Sequence, residues 1–491
     1  MKLEERVRAS FDYGGPVSVP AFLLDEPAIT KAARRAGGSL RALRLQAGDA
    51  LAVLAGNGPD FVVLRDAATA LDLTFVPLNP RLAVREVAEL MARAGAKLLV
   101  ADRPDRPIPE GVEVWFADDL QRVGEGVTPA RVKDPQAIGA TLLFTSGTTG
   151  QPKACLRLAA QERARADELR ATYALSAKDV HLVPCPLAHS APGMFLRACR
   201  AAGARTVLLE RFDARDFLAQ VAAHRATVFF LVPTQVERLL ALPDEARAGA
   251  DWSSVRACIV AGAPFSPAAR RRFLDWLGPG KLWEFYGSSE TGTITVLPPA
   301  DQASAGPGEV GRPPPGVELE LRHPESGARV AAGEVGEVFV RSPALMHGYL
   351  GEPPVAPGAF VSVGDLGVLD ADGRLALVDR KHDLVISGGV NVYPAEVERA
   401  LAEHPAMAGA VVCGVADADW GERVVALVAL REGDAGTPAP TDDDLRAFLR
   451  ERLASYKIPK SFRFVAVADL PIGPSGKPLR RAARAHFDPR S

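Results

Sequence analysis

The 491-residue chain is 47% hydrophobic and sets 58 Lys and Arg against 60 Asp and Glu, for a formal net charge of -2. That size allows more than one buried core, and the charge balance excludes a global attraction to nucleic acid or an anionic membrane surface. Met1 to Arg8 is charged with no apolar segment behind it, and no run approaches the ~20 apolar residues of a membrane span, so a soluble, cytoplasmic protein with no membrane span is expected.

A helix-like stretch from Thr30 to Leu43 is broken by Gly37-Gly38, for which the sequence offers no reason. From Asp49 to Pro80, LAVLAG reads as a short buried strand, FVVLRDAATALDL as an amphipathic helix and FVPLN as a second strand, which is a βαβ unit. The theme recurs at KLLVAD, at RTVLLE before DARDFLAQVAAHR, at TVFFLVP before TQVERLLAL, and at VRACIVAG before SPAARRRFLDWL. Such alternation predicts mostly parallel sheets covered on both faces.

After about Gly306 the texture changes to short alternating strands between glycine and proline turns, as in GEVGEVFVRS, which predicts an antiparallel, barrel-like section. From Tyr393 onward helices return in PAEVERALAEHP and DDDLRAFLRERLA, interleaved with VVCGVAD, VVALVALRE and FRFVAVADL. This predicts a compact α+β tail of roughly 110 residues, with its boundary near Asp379 to His382. Cys155, Cys185, Cys199, Cys258 and Cys413 lie far apart with no CxxC pair. Buried reduced thiols, rather than a disulfide framework or a zinc site, are expected.

Three stretches invite a chemical reading. Thr145-Ser146-Gly147-Thr148-Thr149-Gly150, followed by Lys153, comes after the strand-like ATLLF. Its hydroxyls, open amides and single ammonium suit polyphosphate oxygens, and glycine lets the backbone close round an anion. A polar surface turn with a solvated lysine reads equally well from these residues alone, and the loop is not of Walker A type. GPGEVG, Gly306 to Gly311, spells the dinucleotide GxGxxG. However, no strand precedes it, and Arg312-Pro313-Pro314-Pro315 follows, so the helix that would hold a pyrophosphate cannot form. In LWEFYGSSETG, Phe285 and Tyr286 stand beside Gly287, the hydroxyls of Ser288 and Ser289, and Glu290. A ring next to a hard-oxygen ligand suits a nucleotide with magnesium; a core tyrosine and a helix-start acid are the bland alternatives.

TSGTTGQPK, YGSSETG, VGDLG, DRKHDLVISGGVNVYPAEVE and LPIGPSGKPLRR occur in that order. By these motifs the chain, from about Gln46 to Arg481, resembles the adenylate-forming superfamily of acyl- and aryl-CoA synthetases, carrier-protein adenylation domains and beetle luciferases. The resemblance implies an α/β fold: a large N-terminal domain of two αβ subdomains with parallel sheets plus a β-barrel-like section, and a small mobile α+β C-terminal domain. The division falls at 1–379 and 380–491, with a hinge at 380–382 and a catalytic-lysine loop at 471–480. It implies ATP and Mg2+, with coenzyme A as co-substrate.

Carried over by matching positions, Thr145 to Gly150 with Lys153 hold the β- and γ-phosphates and Glu290 binds magnesium. Tyr286 lies against adenine, with Gly262-Ala263-Pro264 forming the other side of the slot. Asp365 and Arg380 meet the ribose and phosphates, where one carboxylate can accept from both ribose hydroxyls. Lys477 bridges the attacking carboxylate and the nucleotide oxygens, and losing such a group commonly costs ~10²–10³ in rate. The small domain then turns about the position of His382, which more often carries aspartate or lysine in relatives. The turn brings Ser387-Gly388-Gly389 to the thiol's tunnel.

The segment PCPLAHSAPGMFL resembles the lid of the acyl pocket, with His189 at its aromatic or histidine position. Lacking a permanent negative charge among apolar Pro192, Met194 and Phe195, it implies an uncharged acyl or aryl group; a buried core histidine is the alternative. The tail SYKIPKSFRFV resembles free-standing CoA synthetases, so an acid-CoA ligase is expected. The central threonine of SGTTG favours a fatty or other hydrophobic acid, since benzoate-type members more often carry serine there. The runner-up is an enzyme loading an acyl-carrier protein. A nucleotide-binding protein without turnover would be expected to lack Lys477, Glu290 or Asp365, and all three are present. Either a monomer or a homodimer fits.

Overall fold

The computed structural model describes residues 20–130, 138–145, 152–381, 383–387, 390–417, 421–431, 439–473 and 477–487. Two seven-stranded sheets form the large N-terminal domain. In the first, Val114–Phe116, Leu98–Ala101, Ala50–Leu54, Thr74–Leu78 and Thr141–Thr145 run parallel in that spatial order, and Lys153–Arg157 and Gly348–Tyr349 add antiparallel strands at the far edge. The predicted βαβ unit is its centre: Leu51 pairs with Phe75 in register, and helix Pro59–Ala70 makes the crossover. That helix starts on proline, whose fixed φ and missing N–H suit a first turn. Strand Leu98–Ala101 is buried throughout, as expected for parallel strands covered on both faces.

The second sheet runs Arg205–Leu209, Val180–Val183, Val228–Leu231, Ala257–Val260 and Leu282–Ser288 in parallel, with antiparallel Ala21–Leu23 and Gly292–Leu297 at its edges. Helices Ala214–His224, Pro233–Leu240 and Pro267–Leu277 occupy the predicted stretches. Phe217, Phe229, Trp252 and Phe273 pack in the core on one side of this sheet.

The barrel-like section is a five-stranded antiparallel sheet ordered Glu309–Gly311, Leu375–Arg380, Val361–Leu369, Val335–Arg341, Glu318–Arg322. GPGEVG lies at its edge and forms no helix. A Cβ at Gly311 (φ 86°) would sit 2.0 Å from the Val296 carbonyl oxygen, so glycine is required by a close backbone approach. The smaller C-terminal domain is α+β: Met407–Asp417 and Gly421–Leu430 pair antiparallel, Ser461–Val465 adds in parallel, and helices Pro394–Ala402 and Asp442–Arg450 cover a core containing Val397, Leu401, Leu445 and Leu449.

The interrupted helix is corrected by the structure. Glu26–Ala42 is one continuous helix through Gly37-Gly38. A Cβ on Gly37 would lie 2.7 Å from Ala130 Cβ, and one on Gly38 would lie 2.8 Å from the Thr128 carbonyl oxygen. The glycines pay their helix penalty so that segment 127–130 can lie directly on the helix. All five cysteines are free and buried. Among the described residues no helix is long and apolar enough to cross a membrane.

Candidate functional site

Parallel strands leave their C-terminal ends open to loops, and ligands of such sheets bind there. Thr145 ends one strand of the first sheet, Ala261 to Phe265 follow a strand of the second, and Ser288 ends the next strand of the second. The two sheets therefore bring TLLFT, VAGAPFS and LWEFYGSSETG to one region. Gly262 adopts φ 97°, a conformation glycine reaches without strain, and this turns the chain away from the strand.

The contacts there form two groups. In the first, Tyr286 Oη donates to Asp365 Oδ2 at 2.5 Å, while Arg380 Nε lies 3.2 Å from Asp365 Oδ1. Asp365 and Arg380 are cross-strand partners in the antiparallel sheet, so strand register alone aligns them. Burial, and then the Asp365 charge, push the Tyr286 hydroxyl well above its ordinary value, so it remains a donor.

In the second group, Thr145 Oγ1 donates to Glu290 Oε1 at 2.9 Å and Tyr349 Oη donates to the same oxygen at 3.1 Å. The Lys153 ammonium sits 4.5 Å from the centroid of the Tyr349 ring, a cation–π distance. Glu290 Oε2 keeps no partner among the described residues. Two convergent hydroxyls and a carboxylate oxygen are a hard donor set of the kind magnesium takes.

Beneath these groups lies a buried ion cluster that sequence reading missed. Arg157, fully buried, donates Nη1 to the Ser289 carbonyl at 2.8 Å, Nε to Glu162 Oε1 at 2.9 Å, and Nη2 to the Ala344 carbonyl. Glu162 also pairs with Arg197. Burial would raise Glu162, but Arg197, Arg157, Arg165 and Arg65 outweigh it and hold the carboxylate at about 2. The cluster thus fastens the Ser288–Glu290 turn from below. Its only signal in the sequence was a charge closing the apolar alternation of KACLR.

Lys477 sits at a turn closed by Gly473 N–H donating to its carbonyl at 2.8 Å. Surrounding protein and then the Arg380 charge lower its pKa, against Asp365 and Glu290, which raise it. The side chain is exposed, so solvent screens these charges. Lys477 is near enough to Arg380, Asp365 and Glu290 for their charges to act on it. Three residues on, Arg480 ties this segment to Asp383 at 2.8 Å and Glu398 at 2.9 Å, with Asp379 at 3.9 Å.

His189 occupies the N-cap position of helix Ser190–Ala201 without a side-chain capping bond; burial and then Arg81 lower its pKa, which favours a neutral ring. Gly287 pairs with Thr293 across the LWEFYGS hairpin, and Phe285 with Val296. Ser288 Oγ receives the Glu290 and Thr291 amides at 3.1 Å each, shaping the turn, and Ser289 supplies the carbonyl that Arg157 holds. Ala263 and Pro264 continue the turn from Gly262, and Ser387 ends strand Val385–Ser387. The structure thus brings Thr145, Lys153, Tyr286, Glu290, Asp365, Arg380 and Lys477 into two linked clusters. Ser146, Gly147, Thr148, Thr149 and Gly150 of the hydroxyl-rich loop, and His382, Gly388 and Gly389, lie outside the described residues. A surface cleft of ≈ 800 Å³ lined by Glu26, Lys31, Arg34 and Glu125 contains none of these groups.

Comparison with known proteins shows the family. Residues 28–350 match the AMP-binding enzyme family and residues 396–477 match the AMP-binding enzyme C-terminal domain. A feruloyl-CoA synthase of Amycolatopsis sp is 34% identical over 469 residues, covering 93% of this chain and 92% of the relative. A fatty acid–[acyl-carrier-protein] ligase of Streptomyces coeruleorubidus is 30% identical over 498 residues, covering 96% of this chain and 94% of the relative. The solved amide bond synthetase McbA from Marinactinospora thermotolerans superposes with a TM-score of 0.82 at 31% identity, covering 95% of each chain.

Proposed function

The chain belongs to the AMP-binding enzyme family, and from that premise we propose that it is an ATP-dependent acid-CoA ligase acting on a hydrophobic carboxylic acid through an acyl-adenylate. The observation that carries the reading is that Lys477, on the C-terminal domain, lies near enough to Asp365, Arg380 and Glu290 for their charges to act on it, because a cation beside such a site is what activation of a carboxylate requires.

A carboxylate is anionic and has no good leaving group, so a thiol does not attack it. When its oxygen attacks the α-phosphorus of ATP, the bond to the pyrophosphate oxygen breaks and pyrophosphate leaves with its electron pair. The product is an acyl-adenylate. In the second step the thiolate of CoA attacks the acyl carbon, the bond to the adenylate oxygen breaks, and AMP departs.

Each cluster has a task in this scheme. Asp365, held by Tyr286 and Arg380, accepts from the ribose hydroxyls, and Tyr286 with Gly262-Ala263-Pro264 encloses the base. Thr145, Lys153 and the 146–150 loop hold the terminal phosphates. Glu290 Oε2 is the oxygen offered to magnesium, whose charge would offset that of the phosphates. The Lys477 ammonium stabilises charge developing at α-phosphorus, and His189 stands at the mouth of the acid pocket.

Lys477 and its turn would block an entering thiol. Residues 380–491 therefore rotate about 380–382 after pyrophosphate leaves, and Ser387-Gly388-Gly389 replace Lys477 at the site. The contacts of Arg480 with Asp379, Asp383 and Glu398 span this hinge and carry Lys477 with it.

The feruloyl-CoA synthase relative supports CoA as acceptor. A second reading, transfer to a carrier-protein phosphopantetheine, is favoured by the acyl-carrier-protein ligase relative. Purified protein with ATP, magnesium, an acid panel and either CoA or a holo-carrier separates them: AMP formed with CoA supports the ligase, and AMP formed only with the carrier overturns it.

A further inference from the structure

Glu290 lies in the turn between strands Leu282–Ser288 and Gly292–Leu297, so its position depends on what grips that turn from outside. Met346 N–H donates to the Glu290 carbonyl at 2.7 Å. The Ser289 carbonyl accepts from Arg157 Nη1 at 2.8 Å, and the Ala344 carbonyl, just before Met346, accepts from Arg157 Nη2. One guanidinium thus fixes two backbone segments: the turn of Glu290, and the stretch leading to Tyr349, whose hydroxyl donates to Glu290 Oε1. A planar fork of several donors can do this where a single ammonium cannot.

Arg157 is fully buried, and its orientation depends in turn on Glu162, whose Oε1 accepts from its Nε at 2.9 Å. The other oxygen of that carboxylate accepts from Arg197 Nη2. Arg197 belongs to helix Ser190–Ala201, whose N-cap position is His189, the residue proposed at the mouth of the acid pocket. On the helix of Glu162, Arg165 reaches Ser190 Oγ, at the start of the same helix, at 3.3 Å. A continuous run of hydrogen bonds therefore passes from Arg197 through Glu162 and Arg157 to Ser289, and joins the helix behind the acid pocket to the turn of Glu290.

Bonds between ionised groups are short and directional, and buried pairs are screened far less than exposed ones, so a change at one end of this run is felt at the other. Without Arg197, the Oε2 of Glu162 loses its partner. Arg165 and Arg65, whose charges also act on Glu162, then compete with Arg157 for the carboxylate, and Arg157 no longer has a fixed anchor from which to hold Ser289 and Ala344.

We infer that Arg157 is a positioning residue for the magnesium carboxylate Glu290, and that Glu162 and Arg197 act through it, so that the helix behind the acid pocket helps to set how tightly magnesium is held. This rests on the reading of Glu290 as the magnesium residue and adds to it three residues that act only through the backbone of its turn.

The test is calorimetric binding of ATP to the full chain, without acid or CoA, once with excess magnesium and once with EDTA; the ratio of the two dissociation constants is the gain due to magnesium. The wild type is expected to show such a gain and Glu290→Gln to lose most of it. Arg157→Lys, which keeps the charge but not the fork, and Arg197→Gln are each expected to reduce the gain about tenfold, the lower end of the range for partners behind a metal ligand, while ATP binding in EDTA stays near wild type. Asp66→Asn weakens the buried pair with Arg200, on the same helix as Arg197, and serves as the control for lost stability: its thermal midpoint should fall and its gain should not. A full gain in either Arg157→Lys or Arg197→Gln overturns the inference, and so does ATP binding weakened equally with and without magnesium, or a gain lost as much in Asp66→Asn. A wild type without the gain, or a Glu290→Gln variant that keeps it, overturns the magnesium reading of Glu290 itself, and this inference with it.

Discussion

Tyr286 and Asp365, 79 residues apart in sequence, are joined by a 2.5 Å hydrogen bond across two different sheets. The bond occupies Asp365 Oδ2 on one side while Arg380 holds Oδ1, so the carboxylate is held in a fixed orientation. Hydrogen bonds to a charged group contribute about 1.5–3 kcal/mol. Asp365→Ala is accordingly expected to raise KM for ATP by about 10- to 100-fold, with Tyr286→Phe a smaller rise. Initial rates at varied ATP check this, and an unchanged KM in Asp365→Ala would remove the ribose assignment.

Tyr349 meets both Glu290 and Lys153, its hydroxyl on the carboxylate and its ring under the ammonium, the two residues proposed to serve magnesium and the terminal phosphates. Partners behind a metal-binding carboxylate commonly influence metal affinity 10- to 100-fold. Tyr349→Phe keeps the ring and removes the hydroxyl, so the magnesium concentration for half-maximal rate should rise about tenfold while the ATP dependence at saturating magnesium moves less. A magnesium titration at fixed ATP distinguishes this from a general loss of activity, in which both would move together.

Glu162 links site and stability. Its carboxylate is held at about 2, against an ordinary 4.5. A depressed carboxylate contributes stability that is present above the unfolded value and is lost as pH falls through the folded one. Glu162→Gln should therefore destabilise the fold at pH 7 by on the order of 3 kcal/mol, the scale for removing one partner of a buried ion pair, seen as a lower thermal midpoint. The gap to wild type should persist down to about pH 4.5 and narrow toward pH 2. Thermal melts across that range test it; a gap independent of pH would show that the carboxylate charge is not what matters.

Elements whose signal is local were legible in the sequence. The βαβ unit from Ala50 to Leu78 could be read from period and punctuation because burial on both faces demands continuous apolar strands. Tyr286, Glu290 and Asp365 could be singled out because their motifs are contiguous. Tyr349 was not, because it reaches Glu290 only through a two-residue strand that docks on Lys153–Arg157, a long-range pairing that leaves no local pattern. Arg157 and Glu162 were passed over because charges in a sequence are read as solvated until burial is known. Gly37-Gly38 looked like an interruption because its cause, the backbone at 127–130, lies 90 residues downstream.

The central claim is that Lys477 serves acyl-adenylate formation and not thiol transfer. The direct measurement compares two half-reactions in Lys477→Ala: acid-dependent exchange of pyrophosphate into ATP, and CoA thioester formation from supplied acyl-adenylate. The account predicts that exchange falls by about 10²–10³ while thioester formation stays near the wild-type rate. Equal loss in both half-reactions would contradict it.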